Sequence, residues 1–170
     1  MAKTIPANIQ SYIDTNTGTN PFIIVKIAWG SSTVYYGDKA TTIGATSIDG
    51  RILTVSDISN LKKAESSGEI STCSIGLSDY DGALKTLLNT VIPEGKAVTI
   101  YQCYEGISSV ADCVVLLTGK ISGTVSWSEA ERTIEFTVET GVEDGEIIVA
   151  SAGAHIYGYV EEIAKLRRGL

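Results

Sequence analysis

The side chains that most often carry out catalysis are sparse in this chain. It has one histidine, His155, which excludes a zinc site of the H-E-x-x-H type. The G-x-S-x-G turn of one large class of serine hydrolases does not occur, and neither do the phosphate-binding patterns G-x-x-x-x-G-K-[ST] and G-x-G-x-x-G. We therefore interpret His155 as a solvated or helix-capping residue and predict no catalytic site and no enzymatic activity.

Paired carboxylates are the next candidates, because glycoside cleavage needs two of them about 5–9 Å apart. Asp79 and Asp81 lie just before an apolar helical pattern, where they favour the start of a helix. Glu135 and Glu139 lie on the polar side of an alternating segment, which predicts a solvent-facing strand surface. Residues 79–82 resemble part of a calcium loop, but its later acidic ligands are missing. The sequence predicts no metal and no cofactor.

The three cysteines are Cys73, Cys103 and Cys113, an odd number with no C-x-x-C spacing. Each lies in an apolar or strand-like segment, so we interpret all three as small buried hydrophobic residues. A Cys103–Cys113 bridge across a hairpin is geometrically conceivable. A reducing cytoplasm disfavours that bridge.

Aromatic side chains could stack on sugar rings, which would make the chain a carbohydrate-binding module. The simpler interpretation is that they are strand residues facing the core, with their polar tips at its rim. The residues concerned are Trp29, Tyr35, Tyr36, Tyr101, Tyr104 and Trp127.

Charge and hydropathy exclude two classes of partner. The net charge of −7 argues against a nucleic-acid surface, which needs clustered Lys and Arg. The apolar runs are far shorter than the ~20 residues of a membrane span, and no signal peptide follows the N-terminus. We expect a protein that binds neither nucleic acid nor membrane and that folds in the cytoplasm of a host.

The elements that would position any site are mostly strands. β-branched and aromatic residues dominate residues 22–29, 33–36, 69–77, 97–104, 113–121, 123–127 and 133–140, and turn residues lie between most of these segments. The pair Asp49-Gly50 favours a tight turn, and residues 147–149 predict a last strand. The pattern predicts a mainly β, barrel-like domain of about seven to nine strands with one short internal helix and a C-terminal helix.

The internal helix is predicted from a helix-start motif formed by Ser78, Asp79, Asp81 and Gly82. Ser78 to Asp81 matches a capping box with Asp in place of Glu. The apolar residues that follow lie on one helical face and predict roughly three turns that end before Pro93. These are Ala83, Leu84, Leu87, Leu88 and Val91.

The C-terminal segment from His155 to Leu170 predicts an amphipathic helix with an apolar stripe. The stripe consists of Ile156, Val160, Ile163 and Leu166. It packs either on a neighbouring chain or back on its own domain. The predicted organisation is an N-terminal arm or loop over residues 1–20, a β-barrel domain over 21–150 and a helical arm over 151–170.

Residues 48–53, 74–85 and 93–102 together resemble a known family. They read I-D-G-R-I-L, S-I-G-L-S-D-Y-D-G-A-L-K and P-E-G-K-A-V-T-I-Y-Q. In phage tail and baseplate hub proteins, a strand ends in an L-x-D-x-D-G-x-L-K helix start and a V-x-I-Y strand follows. The resemblance covers roughly residues 22 to 140. Hub proteins are typically longer than 170 residues, so a compact hub, a distal-tail or adaptor protein, and the first piece of a larger design remain alternatives.

The resemblance implies a structural component of a phage tail tip or baseplate, a hub or hub-like ring protein that connects tail tube and spike. Its partners would be other tail proteins (tube, spike and wedge) and further copies of itself, with a trimer favoured over a hexamer. Its location would be the virion, after assembly in the host cytoplasm. The alternative function is a carbohydrate- or receptor-binding β-module.

Overall fold

The computed structural model describes residues 20–62 and 69–140. Within these ranges the chain forms ten strands, one short α-helix and one turn of 3-10 helix. The prediction of a mainly β protein with one internal helix is confirmed. The N-terminal arm, the strand at 147–149 and the C-terminal helix with its apolar stripe lie outside the described residues.

The strands follow the segments rich in β-branched residues. Their bounds are β1 Pro21–Ala28, β2 Thr33–Gly37, β3 Thr41–Ile43, β4 Thr46–Gly50, β5 Ile52–Val55, β6 Ser59–Lys62, β7 Glu69–Ser78, β8 Ala97–Tyr104, β9 Val114–Ser128 and β10 Thr133–Glu139. The α-helix, α1, spans Ala83–Leu88, and the 3-10 turn spans Val110–Asp112.

All ten strands belong to one sheet. Nine of them follow the order β3-β4-β2-β1-β8-β9-β10-β7-β5, and β6 also pairs with β7, at a different part of that long strand from β5. Every pairing is antiparallel except that of β2 with β4. The hydrogen-bonded path is therefore open. β4, near one end, and β5, at the other end, are nevertheless successive strands separated only by Arg51. One continuous stretch of chain therefore joins the strands near the two ends of this open sheet.

The predicted tight turn at Asp49-Gly50 is wrong. Both residues belong to β4, where they pair with Tyr36 and Gly37 of β2. Gly50 is required there for a different reason, since a Cβ at this position would lie 2.4 Å from the amide nitrogen of Ala40. The glycine allows close approach of two backbones and does not supply a positive φ.

Two apolar clusters lie against the sheet. The larger one, here called the first core, is built from alternate residues of β1, β7, β8, β9 and β10, and includes Ile27, Ile75, Leu77, Val98, Ile100, Ile134 and Phe136. The second core contains Phe22, Ile24, Ile43, Ile48, Cys103, Val110 and Cys113. Since β1 contributes to both cores, both of its faces are covered by protein. This explains its nearly continuous apolar sequence.

Strand β5 contains a β-bulge. Ile52 pairs with Leu77 and Thr54 pairs with Gly76, so Leu53 is an extra residue without a partner on β7. Its side chain is 56% exposed. A bulge re-aims the side chain it carries and bends the strand, so Leu53 is displayed at the edge of the sheet.

No helix within the described ranges is long and apolar enough to cross a bilayer.

We predict that Gly50→Ala lowers the free energy of unfolding by about 2 kcal/mol, because the new methyl group must displace the backbone at Ala40. Denaturant unfolding followed by tryptophan fluorescence measures the effect. Ser47→Ala, at an exposed position of the same strand, is the control and should change stability by less than about 0.5 kcal/mol. Equal stability of the two variants would contradict the close approach.

Candidate functional site

Arg51 is the centre of a polar cluster at the point where the two ends of the sheet meet. Arg51 is only 6% exposed, although its side chain carries a full charge. Nε donates to Oδ2 of Asp49 at 2.6 Å. Nη1 and Nη2 donate to Oδ1 and Oδ2 of Asp81 at 2.8 and 2.6 Å. The planar guanidinium thus binds one carboxylate with two parallel bonds and a second carboxylate at its side.

Backbone contacts tie the same residue to β7. The amide of Ser78 donates to the carbonyl oxygen of Arg51 at 2.7 Å, and Nη1 of Arg51 reaches the carbonyl oxygen of Ser78 at 3.4 Å. Because Arg51 directly precedes β5 while Ser78 ends β7, these bonds continue the β5–β7 pairing. Arg51 therefore anchors the seam of the sheet with both its backbone and its side chain.

The contacts with Arg51 shift the ionisation of the groups involved. Hydrogen bonds from Arg51, followed by one from the amide of Ala83, hold the pKa of Asp81 well below its usual range. The hydrogen bond to Asp81 likewise raises the pKa of Arg51 further above its ordinary value, against the opposing effect of burial. Both groups therefore remain charged over the whole physiological range of pH.

Tyr80 is held against the same guanidinium. The centre of its ring lies 4.8 Å from Cζ of Arg51, and its side chain is 61% exposed. Its carbonyl oxygen accepts a bond from Nη1 of Arg132 at 2.9 Å, while the amide of Asp79 donates to the carbonyl oxygen of Arg132 at 2.7 Å. A large aromatic side chain is thus fixed in position and yet open to solvent. We call Tyr80 with Arg51, Asp49 and Asp81 the Tyr80 platform.

The predicted helix-start motif lies in this cluster. Asp79 is 1% exposed, and its carboxylate accepts from the amides of Leu84 at 2.8 Å and Lys85 at 3.1 Å. Oδ1 of Asp81 accepts from the amide of Ala83 at 3.1 Å. The N-cap residue itself is Gly82, with φ of 75°. The acids therefore satisfy the first free amides of the helix from outside the N-cap position.

Two details of the predicted helix are wrong. It spans only the six residues Ala83–Leu88 and not three turns. Ser78 belongs to β7 and does not cap it. Gly82 takes a left-handed conformation that moves the N-cap four residues beyond the serine. Leu84 is buried in the first core, and Leu87, Leu88 and Val91 pack at its margin.

The aromatic residues do not form an open platform for sugar rings. Trp29 and Tyr36 are 3% and 2% exposed, and Nε1 of Trp29 donates to the tyrosine hydroxyl at 3.0 Å. Nζ of Lys85 lies 3.9 Å from the ring centre of Trp127 and covers that ring. Tyr35 and Tyr101 pack against the second core. For Trp29 and Tyr36 the interpretation as core residues is confirmed.

The cysteine prediction is partly wrong. All three cysteines are buried as expected, but Cys103 and Cys113 form a disulfide and Cys73 alone is free. The register of the sheet explains the bond, since Gln102 pairs with Val114 and the next residues on each side are the two cysteines. A reducing cytoplasm, expected from the sequence, disfavours this disulfide, whereas the pairing of β8 with β9 brings the two cysteines together.

Acidic residues of β10 lie on the outer face, as the alternation predicts. Glu135 is exposed, and Glu139 accepts a bond from the hydroxyl of Ser122 at 2.7 Å. Glu135 borders a shallow groove of about 250 Å³ across the outer faces of β5, β7, β9 and β10. Its polar lining consists of Thr54, Ser74, Thr124, Ser126, Glu135 and Thr137. Across residues 20–62 and 69–140, no three His, Cys, Asp or Glu side chains are grouped to hold a metal.

His155 and the apolar stripe of Ile156, Val160, Ile163 and Leu166 lie outside the described residues. Their predicted roles as a non-catalytic histidine and an interface helix therefore stay predictions.

Comparison with solved structures gives a match for this fold. A chain in the virion of a native gene transfer agent particle superposes with a TM-score of 0.60 over 82% of the present chain, at 13% sequence identity. The two share a fold. The present chain spans about half of that chain, 47% of its length. No family model matches the sequence, and no curated protein matches it.

Sequence reasoning did not single out Arg51, although a signal was present. An arginine within a strand-like segment is unusual, because a buried charge requires partners. Asp49 is two residues away, and the D-Y-D sequence of the helix-start motif offers further carboxylates. The separation of 30 residues between Arg51 and Asp81 conceals the pair until the sheet is folded.

We predict that Arg51→Met lowers the free energy of unfolding by about 2 kcal/mol, since the hydrogen bonds to two carboxylates are lost while most of the apolar stem is kept. Chemical denaturation measures the loss. Arg132→Met removes an exposed arginine of the β9–β10 turn, which contacts the backbone of Tyr80, and serves as the matched control with an expected loss below about 1 kcal/mol. A larger loss for Arg132 than for Arg51 would contradict the anchoring role of Arg51.

Acid should weaken the same seam. The pKa of Asp81 is lowered in the folded state and lies near 3.9 in an unfolded chain, so the unfolded state takes up protons first as pH falls. The stabilisation from ionised Asp81 is therefore complete above about pH 5 and decreases below about pH 4. Denaturation midpoints from pH 7 to pH 3 should fall more steeply in the natural chain than in Asp81→Asn. Parallel pH profiles would contradict the assignment.

Proposed function

We propose that this chain is a structural protein of a phage-like virion and acts by binding other protein chains. One observation carries the proposal: 82% of the chain shares its fold with a chain in a gene transfer agent virion. More specifically, we propose a hub or hub-like ring protein of the tail tip or baseplate that connects tail tube and spike. The helix-start motif and its hub-like sequence pattern support this finer assignment.

The proposed partners are further copies of the chain, with a trimer favoured over a hexamer, and the tube, spike and wedge proteins of the tail. Closed rings are the usual way in which identical chains cover their contact surfaces. The apolar stripe of Ile156, Val160, Ile163 and Leu166 is proposed as one contact with a neighbour. The proposed location is the virion, after assembly in a host cytoplasm.

The Tyr80 platform is the surface on the described domain that best fits contact with a neighbouring copy. Tyrosine is enriched among the residues that dominate binding energy, and a side chain fixed before binding loses little entropy on contact. Tyr80 meets both conditions, because Arg51 holds its ring while 61% of it stays exposed. Exposed Leu53 lies two residues beyond Arg51 on the same run of chain.

We also propose that the chain has no catalytic activity and needs no cofactor. Two of the carboxylates considered in the sequence, Asp79 and Asp81, are occupied by structural bonds. Asp79 caps α1, and Asp81 binds Arg51.

A carbohydrate- or receptor-binding module is the second candidate, and the hydroxyl-lined groove beside Glu135 favours it. Ser, Thr and carboxylate groups can bind the hydroxyls of a sugar, although the groove has no exposed aromatic ring among its lining residues. A glycan array with the natural chain and with Glu135→Gln tests this candidate. Hits that disappear in the variant would support it over the assembly proposal.

We predict that Tyr80→Ala weakens self-association by about tenfold or more, as expected for removal of a central aromatic contact. Light scattering across a concentration series measures the mass of the natural chain and the variant, and electron microscopy shows whether rings form. Ile92→Ala is the matched control, because Ile92 is a large apolar residue that is 77% exposed outside the platform.

Two outcomes would contradict this model. If Tyr80→Ala and Ile92→Ala associate as the natural chain does, the platform is not the contact surface. If the natural chain stays a monomer at every concentration and also in the presence of tail-tube and spike proteins, the assembly function is wrong.

A further inference from the structure

The second core is closed around the Cys103–Cys113 disulfide. Cys103 lies near the end of β8, Cys113 directly precedes β9, and their Cα atoms are 4.8 Å apart. The two residues are 0% and 4% exposed. The bond therefore closes residues 104–112, here called the β8–β9 loop, at its base and inside an apolar cluster.

The β8–β9 loop and the β3–β4 hairpin hold each other in place. Ile107 and Val110 of the loop pack in the second core beside Ile43 and Ile48 of the hairpin. At the hairpin tip, a Cβ on Gly44 would lie 2.5 Å from the carbonyl oxygen of Ser108. Loop and hairpin are thus in direct backbone contact.

An ion pair adds a further link across the same region. Nζ of Lys39, in the connection between β2 and β3, lies 2.8 Å from Oε1 of Glu105 in the loop. The two side chains are about half exposed, at 54% and 48%. An exposed pair of this kind contributes little alone, so the disulfide and the apolar contacts determine how firmly the loop is held.

We propose that the Cys103–Cys113 pair is a redox-sensitive lock on the β8–β9 loop and the β3–β4 hairpin. With a low-molecular-weight thiol of the glutathione class in excess, the pair is a dithiol and both segments open locally. In oxidising surroundings the disulfide closes and fixes them. The inference concerns the isolated chain and does not depend on the proposed virion function.

The opening reaction is thiol–disulfide exchange. One thiolate, RS⁻, attacks Sγ of Cys113, the more exposed of the two residues at 4% against 0%, and breaks the S–S bond. Sγ of Cys103 leaves as a thiolate and takes up a proton. A second RS⁻ attacks the mixed disulfide, forms RSSR and releases Cys113 as a thiolate that is protonated in turn. Two electrons pass from two RSH to the disulfide, and closure by RSSR is the reverse.

The third cysteine is separated from this device. Cys73 belongs to the first core and is 1% exposed, and its thiol donates to the carbonyl oxygen of Ser56 at 3.3 Å. Burial also raises the pKa of the Cys73 thiol, which lowers the fraction of reactive thiolate. Exchange is therefore confined to the two cysteines of the second core.

Hydrogen exchange measured by mass spectrometry on the full chain tests the proposal, with and without dithiothreitol as the reductant. In the reduced chain we expect amides of residues 105–112 and 41–48 to exchange about tenfold to hundredfold faster, since a loop of this length loses its covalent closure. Amides of β7 and β10, which belong to the first core, should keep their rates. Addition of oxidised glutathione after removal of the reductant should restore slow exchange.

Cys73→Ala is the matched control and should respond to reductant as the natural chain does. Cys103→Ala/Cys113→Ala should exchange fast in the loop under both conditions. If that variant does not fold, the natural chain with and without reductant still decides the question. If hydrogen exchange in the β8–β9 loop is unchanged on reduction, the proposal is wrong. It is also wrong if all three cysteines of the air-oxidised, denatured chain can be alkylated, because the disulfide is then absent. Both readouts use the isolated chain, so a failure of ring assembly leaves their outcome unaffected.

Discussion

The charge of Arg51 must be neutralised inside the seam of the sheet, and this requirement shapes the surrounding structure. A guanidinium that is 6% exposed needs carboxylates at close range. Asp49 lies two residues earlier, in β4, while Asp81 comes from the turn after β7. The ion pairs therefore join the two ends of an otherwise open sheet. They also fix the turn from which α1 begins and the ring of Tyr80. The Arg51 side chain therefore supports the seam between the sheet ends, the start of α1 and the exposed ring of Tyr80.

The two cores are held together by different interactions. The first core is held by apolar packing between strands distant in sequence, as in the pairing of β7 with β10. The second core is smaller and contains a disulfide and a loop. The two cores lie on opposite faces of β1. The second core can therefore open while the β1 side chains of the first core, Val25 and Ile27, stay packed. Such a division allows local opening at a free energy below that of global unfolding.

The sequence predicted β1, β2 and β7 to β10 because the signals of these strands are local. Alternation in β7 and β10 and the apolar run of β1 correspond to strands with the expected faces. Features that depend on distant contacts were missed. Asp49-Gly50 resembles a turn until β2 lies beside it, and the start of α1 moves because Asp79 reaches two amides beyond a left-handed Gly82. The Arg51–Asp81 pair and the disulfide likewise follow from strand register, which periodicity does not determine.

The bulge at Leu53 has a consequence for the behaviour of the protein at high concentration. β5 pairs only with β7 among the described residues, so its outer side could accept a strand from another molecule. An extra residue interrupts the regular spacing of donors and acceptors and bends the strand away from a flat template. Regular pairing of a further strand along this side of β5 is thereby hindered.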